Sequence, residues 1–597
     1  MKRKINKNQD FKKIKENSDF VNAPLKKKIG FFSAMLVVVG SCIGSGIFFK
    51  SKSVLEGSQN SIILGMICWI FVAIGVLCMA LALLEIASVR NDNLSLIGWC
   101  KSFNSRLTYK FSKNYMYYLY TPIKGFFLPL YLIMAFQDAT ASLYIQKGMA
   151  YNGFGTGADW AIIMVISIAI SAYFIMICGW STKVGNIQNI IITCVKFIPL
   201  VFAAVVGFVI FGMNGGIVPN GSPFQPGFNP TDVSNDLNAM WTFKNLTPGF
   251  GFFIAATGIL YAYDGFYGAA GIKTEMKEPQ KSSTATLVGL ILVTIIYLVI
   301  AISMSLGSTA GNPQGLVQFF AKYNILPLFA VFQILIAIGI IGVVNGYNMF
   351  SSRFVEDLVV DGELPFSQVG TKYIAKGSRI VGSMYNLAIT TPVIILFCII
   401  GSVYINSTDA NGILFAQLNT LSTNMQQIID KTNPNLVATV GGVESVIYRY
   451  GSGVGSLYTF CDMVSNWSAL FIFLFIVLAI AGGVNNRNKG FVEVQKFKYF
   501  KPVAIISVIF IAIPIALTVV EPIANLFFIF RIPSTTPSWI ENTLIPRIMA
   551  FIMLLFYLAF TVLPTIIEDK IAIKNFGSIE KYEAQKLEKL RVILNKQ

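Results

Sequence analysis

Histidine is absent from the 597-residue chain. That absence removes Ser-His-Asp and Cys-His catalysis, histidine proton relays and every metal site built on imidazole. Charge is also scarce: Asp, Glu, Lys and Arg make up 13% of the residues, about half the share of an ordinary soluble protein. A body of this size with so little polar surface does not stay dispersed in water. Cysteine is limited to eight residues. Cys42, Cys68, Cys78, Cys178, Cys194 and Cys398 fall inside apolar runs, Cys100 in an inner connection and Cys461 at an outer edge. No disulfide framework is therefore expected. The chain has no nucleophile elbow, phosphate loop or thiolate metal cluster, so neither enzymatic activity, a cofactor nor a metal is expected.

What the chain has is hydrocarbon. Hydrophobic residues make up 55% of it and the mean hydropathy is +0.65. Windows of about 19 residues mark twelve spans, at 33–56, 62–87, 115–137, 159–179, 187–212, 249–272, 284–306, 325–351, 380–403, 459–483, 501–521 and 546–568. Each reaches the length of about 20 residues that a bilayer crossing requires. The expected fold is an all-α polytopic membrane protein of twelve helices. The Lys-rich stretch at 1–32 reads as a tail and not a signal peptide, since no short apolar stretch with a small-residue cleavage site follows.

The net charge of +17 comes from 46 Lys plus Arg against 29 Asp plus Glu. With the N-terminus placed in the cytoplasm, 35 of the 46 basic residues fall on the inner side, nine on the outer, and Lys124 and Lys196 within spans. Such a bias sets orientation and puts both termini in the cytoplasm. The excess charge then meets anionic lipid of the inner leaflet, and no nucleic acid is needed to explain it.

Two connections are long. The segment 213–248 is rich in Gly, Pro and Asn and reads as an outer loop. The outer insertion 404–458 is polar, with weak helical periodicity from Leu414 to Ile428, and its length makes it functional or flexible. In the C-terminal tail, 569–597, apolar residues recur at helical spacing from Ile579 to Leu594. An interfacial helix and a solvated helix both fit that pattern.

The residues that stand out are glycine and charge within spans. Span 1 contains Gly40-Ser41-Cys42-Ile43-Gly44-Ser45-Gly46-Ile47-Phe48. It reads either as a small-residue packing face or as an interrupted helix whose unwound backbone lines a cavity. Span 6 carries Ala262-Tyr263-Asp264-Gly265-Phe266 near its middle. A membrane-buried Asp costs roughly 2.5–3.5 kcal/mol on insertion scales, so it needs a cavity, a partner or a capping role. Spans 1 and 6 begin two halves of five and run in opposite directions, the arrangement of an inverted repeat with a midplane site. The start of a second half-helix near Ser45 and Gly46 offers N–H groups to a carboxylate. First-half ends near Cys42 and Tyr261 offer carbonyls to an ammonium. The pairing suits an α-amino acid, with Tyr261, Tyr263 and Phe266 as a cover.

Lys196 lies about 13–15 Å from the inner end of span 5, and its stem of about 6 Å cannot reach the interface without strain. A lysine buried so deeply is suited to carrying a coupling proton. Lys124 lies at similar depth in span 3 and could pair with an acid such as Asp264. Glu85, two residues from the inner end of span 2, reads as interfacial and structural.

These residues resemble the amino acid–polyamine–organocation (APC) superfamily of transporters. The resemblance is carried by Ile-Gly-Ser-Gly-Ile-Phe at 43–48, by Gly185, Asn186, Gln188 and Lys196, by YAYDGFYGAAGIKTEMKEP at 261–279, and by Asn345, Arg353, Asp361, Gly362 and Pro365. It implies a LeuT-type fold: a first repeat over 33–212, a second over 249–483, and two added helices within 484–568. It also implies an amino acid substrate held by Cys42, Ile43, Gly44, Ser45 and Gly46 together with Tyr261, Ala262, Tyr263, Asp264 and Gly265, with Lys196 linked to coupling. The chain departs from the family at Leu83-Leu84-Glu85-Ile86, at Asn91-Asp92-Asn93 and at Ser51. The expected function is amino acid transport across the plasma membrane by alternating access, as proton-coupled import. An exchanger or polyamine carrier on the same fold is the near alternative, and a membrane sensor or scaffold the distant one.

Overall fold

In hydrocarbon every backbone N–H and C=O must be satisfied within the segment, so long apolar runs wind into helices. A computed structural model describes residues 29–90, 92–216, 237–267, 276–308, 311–403, 412–440, 442–535 and 539–595. Among them are ten helices long and apolar enough to cross a membrane and two shorter apolar ones. The short ones belong to spans 1 and 6.

Span 1 is divided into α1 (Phe31–Cys42), α2 (Ser45–Phe49) and α3 (Ser51–Gly57). Then come α4 (Ile62–Ile86), α5 (Leu96–Phe103) and α6 (Arg106–Asn114), which runs through a π-helical turn at Tyr115–Tyr120 into α7 (Thr121–Gln146). Helices α8 (Asp159–Trp180) and α9 (Thr182–Met213) complete the first half. The second half holds α10 (Pro248–Tyr263), α11 (Ser282–Gly307), α12 (Leu326–Val360), α13 (Ser367–Ala375), α14 (Val381–Ser402) and α15 (Val454–Lys489). After these come α16 (Phe500–Phe528), α17 (Ile545–Phe576) and α18 (Ile579–Asn595).

The packing has a reciprocal plan. Helix α7 packs on α12, α8 on α14 and α4 on α11. Each pair joins a span of the first half to its counterpart in the second. Contacts between unlike spans come in matched sets as well: α9 with α12 mirrors α15 with α7, and α1 with α11 mirrors α10 with α4. The pattern agrees with the five-plus-five expectation.

The insertion 404–458 departs from the helical periodicity expected of it. Ile413–Gln417 is a strand, β1, paired with β3 (Val443–Tyr448), which also pairs with β2 (Val437–Val440). Between Leu414 and Ile428 the α-helix is the short Thr423–Ile428, after a 3-10 turn at Leu418–Thr420. A short apolar run does not by itself distinguish strand from helix, and pairing with β3 decides it. The sheet is tied to α7: Tyr448 and Tyr450 donate to one carboxylate oxygen of Asp138 at 2.7 and 2.8 Å, and Gln314 donates to the other at 2.9 Å.

At the opposite end lie the starts of α1 and α6, and α18 docks there on protein. Leu590 of α18 is buried, while Glu583 pairs with Arg106 at 2.9 Å and Lys586 with Glu568 at 3.3 Å. Glu85 is buried too, where it accepts from Arg487 Nε at 2.6 Å and from the Phe497 N–H at 2.8 Å, tying α4 to the end of α15. The stretch 1–28 and most of the loop at 213–248 lie outside the described residues.

Candidate functional site

Helix α1 ends at Cys42 because Ile43 turns to an extended conformation, φ −74° and ψ 111°, and Gly44 follows, also extended. The helix resumes at Ser45. Gly46 then passes so near α10 that a Cβ on it would come within 2.5 Å of the Ala262 Cα. Glycine is what allows the two interrupted helices to touch. Helix α10 ends at Tyr263, with Asp264 extended at its C-terminus and Gly265 at φ +99°, a conformation that favours glycine. Asp264 therefore stands at the end of the first half of span 6. The expected continuation of span 6 to residue 272 falls mostly on 268–275, outside the described residues.

Between the two interruptions is a cavity lined by Cys42, Gly46, Lys124, Phe127, Leu128, Tyr261, Asp264 and Val343. It is narrow, with room for little more than a water molecule, so a solute enters only if wall side chains give way. Five of the residues singled out in the sequence, Cys42, Gly46, Lys124, Tyr261 and Asp264, meet there, and Lys124 pairs with Asp264. Ile43, Gly44, Ala262 and Gly265 build the surrounding backbone. The Tyr263 hydroxyl lies 3.1 Å from Thr294 Oγ1, on α11.

The Asp264 side chain has several partners. Lys124 Nζ lies 3.0 Å from Oδ2, and Tyr120 donates to the carboxylate at 2.7 and 2.8 Å. Tyr267 donates to Oδ1 at 3.3 Å and to the Tyr120 hydroxyl at 2.7 Å. Lys124 and Asp264 are each 3% exposed. Removing one member of such a buried pair typically costs about 3–5 kcal/mol, because the other charge stays buried without a partner.

The main-chain carbonyls at the interruptions have donors of their own. Tyr297 on α11 donates to Cys42 O at 2.8 Å and to Ala262 O at 2.7 Å, stitching the two breaks together. Lys196 does not line the cavity. It lies behind α1, where Nζ donates to Ile43 O at 2.8 Å, Gly40 O at 2.9 Å and Val39 O at 3.3 Å. The ammonium thus fills the carbonyl cradle on that side of the break.

A second ion pair covers the cavity on the side of the sheet. Lys50, counted from sequence among the outer charges, is fully buried. It pairs with Asp462 of α15, donates to Ser465 Oγ at 3.0 Å and to the Tyr131 hydroxyl at 3.2 Å, and lies 4.9 Å from the centre of the Tyr261 ring. The Asp462 side chain is 43% exposed, so solvent reaches the carboxylate and stops at the lysine. Sequence reasoning missed Lys50, Tyr120 and Tyr297. The one available signal was a lysine near the end of an interrupted span and an aspartate near the start of span 10. Among the described residues no group of three or more Cys, Asp and Glu side chains is placed to hold a metal ion.

The family model described as amino acid permease matches residues 29–555. An uncharacterised protein of Mycoplasma pneumoniae is 36% identical over 582 residues, covering 94% of this chain and 97% of that one. The serine/threonine exchanger SteT of Bacillus subtilis is 27% identical over 354 residues, 58% of this chain and 70% of its own. The b(0,+)-type amino acid transporter 1 of Mus musculus is 21% identical over 428 residues, 69% of this chain and 76% of its own.

Proposed function

Because the chain belongs to the amino acid permease family, a family of membrane transporters, we propose that it carries amino acids across the cell membrane by alternating access, with the cavity between the interrupted helices as the substrate site. One observation carries this reading: α1 breaks off at Cys42 and α10 ends at Tyr263, the two spans touch through Gly46 and Ala262, and a narrow cavity with polar and apolar walls lies between them. The backbone around Gly44 and Gly46 takes the substrate carboxylate. The Cys42 and Ala262 carbonyls, each with a second lone pair beside the Tyr297 hydroxyl, take its ammonium. Lys50 with Asp462 closes the outer side, and these contacts must part when the cavity opens outward. The termini lie in the cytoplasm, on the side favoured by the basic residues.

Lys196 is the coupling residue in this reading. It sits against carbonyls of α1, so gain or loss of its proton changes how firmly the first half of span 1 is held. Proton-driven import follows. Exchange is the second reading, favoured by similarity to a serine/threonine exchanger.

The test is thermal unfolding of the purified chain against each of the twenty amino acids. A ligand at 100 times its Kd stabilises the folded state by about 2.7 kcal/mol. At least one amino acid should raise the unfolding temperature, and Gly46→Leu, which fills the space against Ala262, should abolish that rise. A screen without any shift, or an equal shift in the Gly46→Leu protein, would refute the site.

A further inference from the structure

The basic and the acidic side chain that line the cavity are bonded to each other. Lys124 Nζ lies 3.0 Å from Asp264 Oδ2, and neither group is held by this contact alone. The ammonium stands 4.7 Å from the centre of the Tyr120 ring and 4.8 Å from that of Tyr347, faces whose electron density attracts a cation. The carboxylate accepts from the Tyr120 and Tyr267 hydroxyls. Fixed charge in the wall therefore sums to zero. Cys42, Gly46, Phe127, Leu128, Tyr261 and Val343 add no charge to it. Beyond the Tyr261 ring, Lys50 is neutralised by Asp462.

We propose that the cavity selects amino acids with uncharged side chains and that Lys124 is the specificity residue that excludes cationic ones. An acid at the break of span 6 could draw a cationic side chain or serve only as a cap. In the folded protein that place is taken. A cationic substrate must pull the ammonium from Asp264 and two aromatic faces, or share a low-dielectric space with it at a few ångströms, where like charges repel strongly. An anionic side chain meets the Asp264 carboxylate and is excluded by the same physics. An uncharged side chain leaves the pair intact and packs on Phe127, Leu128 and Val343.

This inference rests on the reading of the cavity as the substrate site. The experiment measures uptake of a labelled neutral amino acid into proteoliposomes holding the purified full chain, with unlabelled arginine, glutamate or the same neutral amino acid as competitor. In the unaltered protein, arginine and glutamate should each compete at least tenfold more weakly than the neutral amino acid. Lys124→Met leaves Asp264 without its counter-charge and should strengthen arginine competition at least tenfold. Adding Asp264→Asn to that variant restores neutrality and should remove the gain. Asp264→Asn alone leaves Lys124 unpaired and should strengthen glutamate competition instead, so a failure of Lys124→Met to fold does not remove the test. Strong arginine competition in the unaltered protein, or unchanged selectivity in the folded single variants, overturns the role of Lys124 while leaving transport standing. Absence of neutral amino acid uptake in the unaltered protein overturns both.

Discussion

Replacing Lys196 with methionine is the most telling perturbation. The ammonium has three N–H donors and directs them at three carbonyls, those of Val39, Gly40 and Ile43. A neutral amine keeps two N–H groups and presents a lone pair to oxygen, so deprotonation loosens the tie to the end of α1. Hydrogen bonds from a charged donor are worth about 1.5–3 kcal/mol each, enough to bias a conformational equilibrium when one is lost. One lysine carries one proton per cycle. A gradient of one pH unit supplies about 1.4 kcal/mol per proton, which sustains roughly tenfold accumulation of a neutral substrate. Proteoliposomes with an interior one pH unit more alkaline than the medium should therefore concentrate a labelled neutral amino acid about tenfold. The Lys196→Met protein, similar in length and without the proton, should only equilibrate it. Retained accumulation by that variant would refute the coupling role, and absence of accumulation by the unaltered protein would favour exchange.

Two further outcomes follow from the contacts. Tyr297→Phe removes the donor shared by Cys42 O and Ala262 O; it should cost roughly 1–3 kcal/mol of stability and weaken substrate binding, and unchanged melting and binding would show that the stitch has no role. Burial pushes the Glu363 carboxyl up, but Lys110 and Lys113, with Lys586 and Lys101, more than offset it and hold the group well below the usual carboxylate range. A depressed carboxylate contributes in full above its unfolded value of about 4.3 and fades only as pH falls through the folded one. The melting difference between the unaltered protein and Glu363→Gln should therefore persist from pH 7 to pH 5; disappearance of that difference between pH 6 and pH 5 would contradict the ion cluster.

The backbone features of the site were legible because they break the rules of a membrane helix. Glycines 44 and 46 in span 1, and Asp264 beside Gly265 in span 6, are costly in hydrocarbon; α1 gives way just before Gly44 and α10 ends just before Asp264. The deep lysines 124 and 196 stood out for the same reason. What sequence hid was set by how helices cross. Tyr120 and Tyr297 are aromatic residues in apolar spans, identical in pattern to packing residues, and only the approach of the π-helical turn before α7 and of α11 to the breaks gives them partners. Lys50 was hidden by its position near the end of a span, where a lysine ordinarily reaches water. The strand β1 was hidden because Ile413–Gln417 has a pattern that local periodicity cannot resolve. Asp264 shows the reverse: its presence was legible, but its neutralisation by Lys124 was only one of several partners open to it, and that changes the substrate class it favours.

The most direct measurement is entry of labelled amino acids into proteoliposomes holding the purified protein, compared with protein-free vesicles. It should be made with an inward proton gradient, without one, and with unlabelled amino acid loaded inside. Saturable entry of at least one neutral amino acid, abolished by Gly46→Leu in a protein that still folds, is the predicted result. Entry no faster than into protein-free vesicles, for every amino acid under all three conditions, would contradict it.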